Sequence, residues 1–144
     1  MNVIDWLLAG DPSVERLTSR YLLDRDKPYR EDGLIARYAA LQDPATGLWC
    51  DAVYAPKWVS THYTMLELKA MEIDPRSASY QAGLRRLLDG LWGSGSGYDR
   101  SCTRDICVAA MLLGLAAYGQ SDPAVAGAAR TTCGGPSRVA RSSC

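Results

Sequence analysis

The sequence contains no phenylalanine, a single histidine and only three lysines against thirteen arginines. With one imidazole available, any histidine-based proton transfer or ligand set has to use His62. There is no excess charge of either sign, since sixteen basic residues offset sixteen acidic ones. Nucleic acids and anionic membranes are bound through surplus Lys and Arg, so this balance argues against both as partners. No run approaches the roughly 20 apolar residues of a membrane helix. Residues 1–6 put no basic segment ahead of an apolar one, so neither a signal peptide nor a transmembrane segment is expected. The five cysteines, at positions 50, 102, 107, 133 and 144, are odd in number and lack the paired spacing of a secreted scaffold. Free thiols and a cytoplasmic location are the expectation. The Gly-Ser run at 93–97 has no strand before it and no Lys-Ser/Thr after it, which makes it a turn rather than a phosphate loop.

What is present is an ordinary globular composition. The chain has 144 residues, 47% of them hydrophobic, which is one domain's length with enough apolar mass for a core. Asp-Pro occurs at residues 11, 43, 74 and 122. Asp is a good N-cap and Pro suits the first helical position, so these pairs read as corners between helices, except at Asp43, which opens a longer loop.

Apolar residues at spacings of three and four fill the intervals over residues 3–9, 13–23, 34–41, 60–73, 80–91 and 105–118. The second of these groups Val14, Leu17, Tyr21 and Leu22. The fourth groups Tyr63, Leu66, Ala70 and Ile73, and the fifth Leu84, Leu87, Leu88 and Leu91. The last is apolar nearly all round, which predicts a buried helix. No segment shows strand alternation, so the fold class is all-α. Residues 64–75 and 110–118 read as copies about 45 residues apart, each followed by Asp-Pro, which is a helical-hairpin period. Helical hairpin repeats are therefore expected over residues 1–129, with an irregular tail at 130–144.

Two motifs carry a family resemblance. Gln42, Gly47 and Trp49 in the string Leu-Gln-Asp-Pro-Ala-Thr-Gly-Leu-Trp resemble the Gln…Gly-x-Trp loop of terpenoid cyclases, in which Gln ends a helix, Trp stacks on it and Gly permits the turn. Asp105-Ile106-Cys107 resembles the Asp-x-Cys segment of protein prenyltransferase β subunits. Residues 56–64 further resemble bacterial squalene cyclase-like proteins. These families share an α/α toroid, so the resemblance implies a partial, open toroid corresponding to the family's N-terminal part. It implies an isoprenoid or other apolar small molecule as ligand, and zinc as cofactor. The acid of class II cyclases, Asp-x-Asp-Asp, has no counterpart; the nearest string is Asp24-Arg25-Asp26.

Candidate site residues follow. By the prenyltransferase resemblance, Asp105 and Cys107 are zinc ligands, with His62 or Cys102 able to add a third. The plain alternative sets Asp105 at a helix N-terminus and Cys107 as a small buried apolar group. His62 is either a ligand or a hydrogen-bonded histidine on an inner rim. Trp58, Tyr63 and Tyr98 are candidate substrate-binding aromatics, whose faces would meet an apolar or cationic ligand. Trp49 and Trp92 read as turn anchors. Two functions stay open: a prenyltransferase- or squalene cyclase-like domain handling an isoprenoid, and a non-catalytic helical-repeat module or truncated family member. The second would include a homodimer formed through an exposed helical edge.

Overall fold

The computed structural model describes residues 2–92 and 106–119. Among these are six helices and no strand: α1 (Val3–Leu8), α2 (Pro12–Leu23), α3 (Gly33–Ala40), α4 (Thr61–Ala70), α5 (Ala78–Trp92) and α6 (Ile106–Tyr118). The described chain is therefore all-α, and each helix falls within a few residues of the span its periodicity predicts. The expected tail at 130–144 and the Asp-Pro at 122 lie outside the described residues.

Short polar side chains set the helix starts. Asn2 Oδ1 accepts the Asp5 N–H at 2.9 Å and caps α1. Asp11 does more, because its two oxygens serve two helices. Oδ1 accepts the Ser13 N–H at 3.0 Å at the start of α2, with Pro12 in the first turn. Oδ2 accepts the Leu34 N–H at 2.7 Å at the start of α3. Asp32, the residue placed to cap α3, makes no side-chain cap bond. Gly33 is required here, since its φ is +59° and a Cβ would lie 2.3 Å from Asp11 Oδ2. Asp74-Pro75 lies in the corner between α4 and α5, as expected, but ahead of the helix start rather than at it. Asp74 instead holds a turn by accepting the Arg76 N–H at 2.9 Å, and Ser77 Oγ accepts the Tyr80 N–H at 3.3 Å as α5 begins.

Consecutive helices pack pairwise, and α6 also packs against α4. The core centres on α4, α5 and α6, where Met65, Leu68, Leu84, Leu87, Leu112 and Leu115 are buried. Truncating any of these leucines to alanine costs about 2–5 kcal/mol. Trp49 anchors the loop before α4. Its indole N–H donates to the Tyr38 carbonyl at 2.7 Å, and its ring lies against Gly83 of α5. Gln42 Nε2 donates to the Gly47 carbonyl at 2.9 Å and the Ser79 carbonyl at 3.0 Å, tying this loop to α5. Trp49 is thus the turn anchor the sequence suggests.

Three expected faces are turned differently. On α4 the buried residues include Thr61, Met65 and Leu68, while Ala70 is exposed. The cause lies at the helix start, where Thr61 is drawn inward because its hydroxyl donates to the Ala52 carbonyl at 2.7 Å. On α2, Ser13, Thr18 and Ser19 are buried, and Tyr21 and Leu22 face solvent. Tyr21 is held outward by a hydrogen bond to Glu72. On α6 only one face is buried, through Val108, Leu112, Leu115 and Ala116. Cys107, Ala110, Leu113 and Ala117 are exposed along the other.

Candidate functional site

The loop over residues 50–60 and the first turn of α4 bring together the aromatic residues singled out from sequence. Loop carbonyls satisfy the N–H groups that a helix start leaves unbonded. Thr61 N–H donates to the Ala52 carbonyl and His62 N–H to the Val53 carbonyl, each at 3.0 Å. The Ser60 hydroxyl donates to the Tyr54 carbonyl at 2.7 Å, and the Trp49 N–H donates to Thr61 Oγ1 at 3.0 Å. This lattice of bonds fixes the loop against the helix and with it the rings that the two carry.

Those rings form a continuous run. Trp58 and Tyr63 lie with centroids 5.2 Å apart, Tyr63 and His62 at 5.2 Å, Tyr54 and His62 at 5.2 Å, and Tyr54 and Tyr63 at 5.7 Å. All four separations fall within the favourable range for aromatic pairs. The run begins in solvent and ends in the interior. Trp58 is 73% exposed, Tyr54 and Tyr63 are half-buried, and His62 is fully buried. Trp58 also adopts φ +74°, which is strained for a bulky residue and costs of order 1–3 kcal/mol. The backbone therefore holds a large apolar ring in water at an energetic cost.

His62 is fully buried in the first turn of α4. Neither Nδ1 nor Nε2 has a hydrogen-bond partner among the described residues. Burial alone shifts its titration, pushing the imidazole below its ordinary value and favouring the neutral ring.

The remaining site residues are distributed as follows. Cys107 is an exposed free thiol on α6, which corrects its reading as a buried apolar group. Asp105, Cys102 and Tyr98 lie outside the described residues, as does the side chain of Trp92. Among the described residues no three His, Cys, Asp or Glu side chains come together as a metal site. No helix among the described residues is long and apolar enough to cross a membrane.

A second feature had no signal in sequence periodicity. A polar cleft of about 420 Å³ lies between α2 and the end of α4, lined in part by Arg16, Arg20, Glu72, Asp74 and Arg76. Arg16 donates to the Met71 and Glu72 carbonyls at 2.8 Å and to Glu72 Oε2 at 3.1 Å. Arg20 pairs with the same carboxylate at 3.0 Å, and Arg76 pairs with Asp74. Burial opposes ionisation of Glu72, but the Tyr21 hydroxyl and the two arginines outweigh it and hold its carboxyl below the ordinary value. With its charges paired internally, the cleft acts as a tie that caps the C-terminal end of α4.

No protein-family model matches the chain, and no curated protein or solved structure is significantly similar to it.

Proposed function

We propose that the chain is a ligand-binding helical module that holds an apolar small molecule against Trp58, Tyr63 and Tyr54. The resemblance to terpenoid cyclases and prenyltransferases makes that molecule an isoprenoid and makes α1–α6 part of an open α/α toroid. The observation that carries the proposal is the run of rings from exposed, strained Trp58 to buried His62. An apolar ligand laid on Trp58 removes its exposed surface from water, and aromatic faces add quadrupole attraction toward unsaturated or cationic groups. Tyr98 belongs to the proposed set by sequence alone.

Tryptophan fluorescence titration with geraniol, an unsaturated isoprenoid alcohol, tests this reading. Saturable binding that weakens at least tenfold in Trp58→Ala, and not in Trp6→Ala, supports it. Binding unchanged by Trp58→Ala, or no saturable binding, overturns it. The zinc expectation is tested separately by metal analysis of untagged protein. Stoichiometric zinc lost in Cys107→Ser supports it, and metal-free wild-type protein overturns it.

A second reading is favoured by α6. Its exposed Cys107, Ala110, Leu113 and Ala117 make an apolar stripe at helical spacing, and Leu113 is 44% exposed. Under this reading the stripe meets a second copy of the chain. Light scattering that shows a dimer for the wild type and a monomer for Leu113→Glu supports self-association; a wild-type monomer at high concentration contradicts it.

A further inference from the structure

His62 is a buried polar side chain whose two ring nitrogens have no partner among the described residues. Native proteins pair the large majority of such groups, because an orphaned buried donor or acceptor costs about 1–3 kcal/mol. Its backbone N–H is already committed to the Val53 carbonyl, so the helix start does not account for the ring. The imidazole is also the inner end of the aromatic run and touches both half-buried tyrosines. Its position therefore joins an unmet hydrogen-bonding demand to an apolar surface.

The surroundings fix the kind of group that can meet this demand. Among the described residues only burial acts on the titration of His62, and no carboxylate or cation contributes. The charged residues of the neighbouring loop, Asp51 and Lys57, are exposed. A neutral imidazole presents one donor and one acceptor. A hydroxyl complements either one, while a phosphate brings negative charge into a setting with no described cation beside it.

We propose that His62 is the polar anchor of the aromatic site and that its ligand is an apolar chain ending in a neutral hydroxyl. This rests on the reading of Trp58, Tyr63 and Tyr54 as the apolar surface. The hydroxyl reaches the imidazole by displacing the Tyr63 ring. That movement gives up the ring contacts of Tyr63 with Trp58, His62 and Tyr54, which the ligand's apolar chain replaces, but among the hydroxyls only the Tyr63–Tyr54 contact, which at 3.4 Å is long for an O–H···O bond. One ring nitrogen then accepts from the hydroxyl, and the other, which points away from the ligand oxygen, donates to a water that comes with it. His62 acts in binding; no bond of the ligand is made or broken.

The test uses full-length protein with geraniol, geranyl methyl ether and geranyl monophosphate, read by fluorescence titration and by NMR of the ring. The chain has one histidine, so its imidazole signals need no assignment. The expected result is geraniol binding about fivefold tighter than the ether, the worth of one hydrogen bond, with a shift of the imidazole resonances. The preference falls to about one in His62→Phe and is partly kept in His62→Gln. The monophosphate binds no tighter than the ether. Equal binding of alcohol and ether with unmoved imidazole signals overturns the anchor and leaves the aromatic surface standing, with an ordered water as the partner of His62. Preferential binding of the monophosphate overturns the neutral-hydroxyl assignment. No saturable binding of any of the three overturns both the surface and the anchor. Should His62→Phe fail to fold, the wild-type preference and the imidazole shift decide the matter.

Discussion

The indole of Trp58 lies over the phenol of Tyr63 at 5.2 Å with an interplanar angle of 49°, and it does so from a backbone in the left-handed region. The contact recovers little burial for Trp58, so packing does not explain why a tryptophan occupies a position suited to glycine.

Replacing Trp58 with glycine separates stability from binding. The strain is relieved and an exposed ring is lost, so urea denaturation is expected to show no change or a gain of up to about 1 kcal/mol. Geraniol binding should fall at least tenfold. A stability loss well above 1 kcal/mol would make Trp58 a structural residue.

His62 gives the chain a pH dependence of definite sign. Its folded value is lowered by burial, while the unfolded value is about 6.5. The unfolded chain therefore binds the proton first, and stability is complete above about pH 6.5 and falls as the pH drops toward the folded value. His62→Phe removes both this slope and the orphaned nitrogens, and is expected to equal or exceed the wild type in stability at pH 7. The check is chemical denaturation from pH 5 to 8, where an unchanged slope in His62→Phe would assign the dependence to other groups.

Asp11 joins α2 to α3 with one carboxylate. Burial opposes its ionisation, but hydrogen bonds from Ser13 and Leu34 and the charge of Arg37 prevail and hold it below the ordinary carboxylate value. Asp11→Ala loses two caps and should cost about 2 kcal/mol, while Asp11→Asn keeps one acceptor oxygen and should cost about half of that. Equal losses in the two variants would mean that the charge, not the acceptor, matters.

Much of the helical layout was legible because capping and periodicity are local. Asp11-Pro12 marks α2, and the leucines of α5 at 84, 87 and 88 face the core as their spacing implies. The aromatic site was legible in part. Trp58, Tyr63 and His62 are close in sequence, so the start of one helix gathers them. What could not be read depends on partners distant in the chain. Arg16 and Glu72 meet across 56 residues, Tyr21 is turned outward by the same carboxylate, and one loop carbonyl at Ala52 draws Thr61 inward. The single buried face of α6 was hidden because its composition is apolar on both sides.

Two glycines distinguish packing from propensity. At Gly83 a Cβ would lie 2.7 Å from Trp49 Cζ3 and 2.8 Å from Met65 Sδ, so Gly83→Ala should cost about 1–3 kcal/mol. At Gly114 in α6 a Cβ meets only the end of the flexible Lys69 side chain, at 3.3 Å. Gly114→Ala should therefore stabilise by about 0.5–1 kcal/mol. Thermal unfolding of the two variants, with opposite signs expected, checks the packing of the Trp49 loop against α5.

The central claim is that the ring surface at the start of α4 receives the apolar ligand. Intermolecular nuclear Overhauser contacts between geraniol methyl groups and protein ring protons test it most directly. The account predicts contacts to Trp58 and Tyr63, together with a shift of the His62 ring signals. Saturable binding whose contacts fall instead on Trp6 or on the exposed stripe of α6, with none to Trp58 or Tyr63, would contradict it.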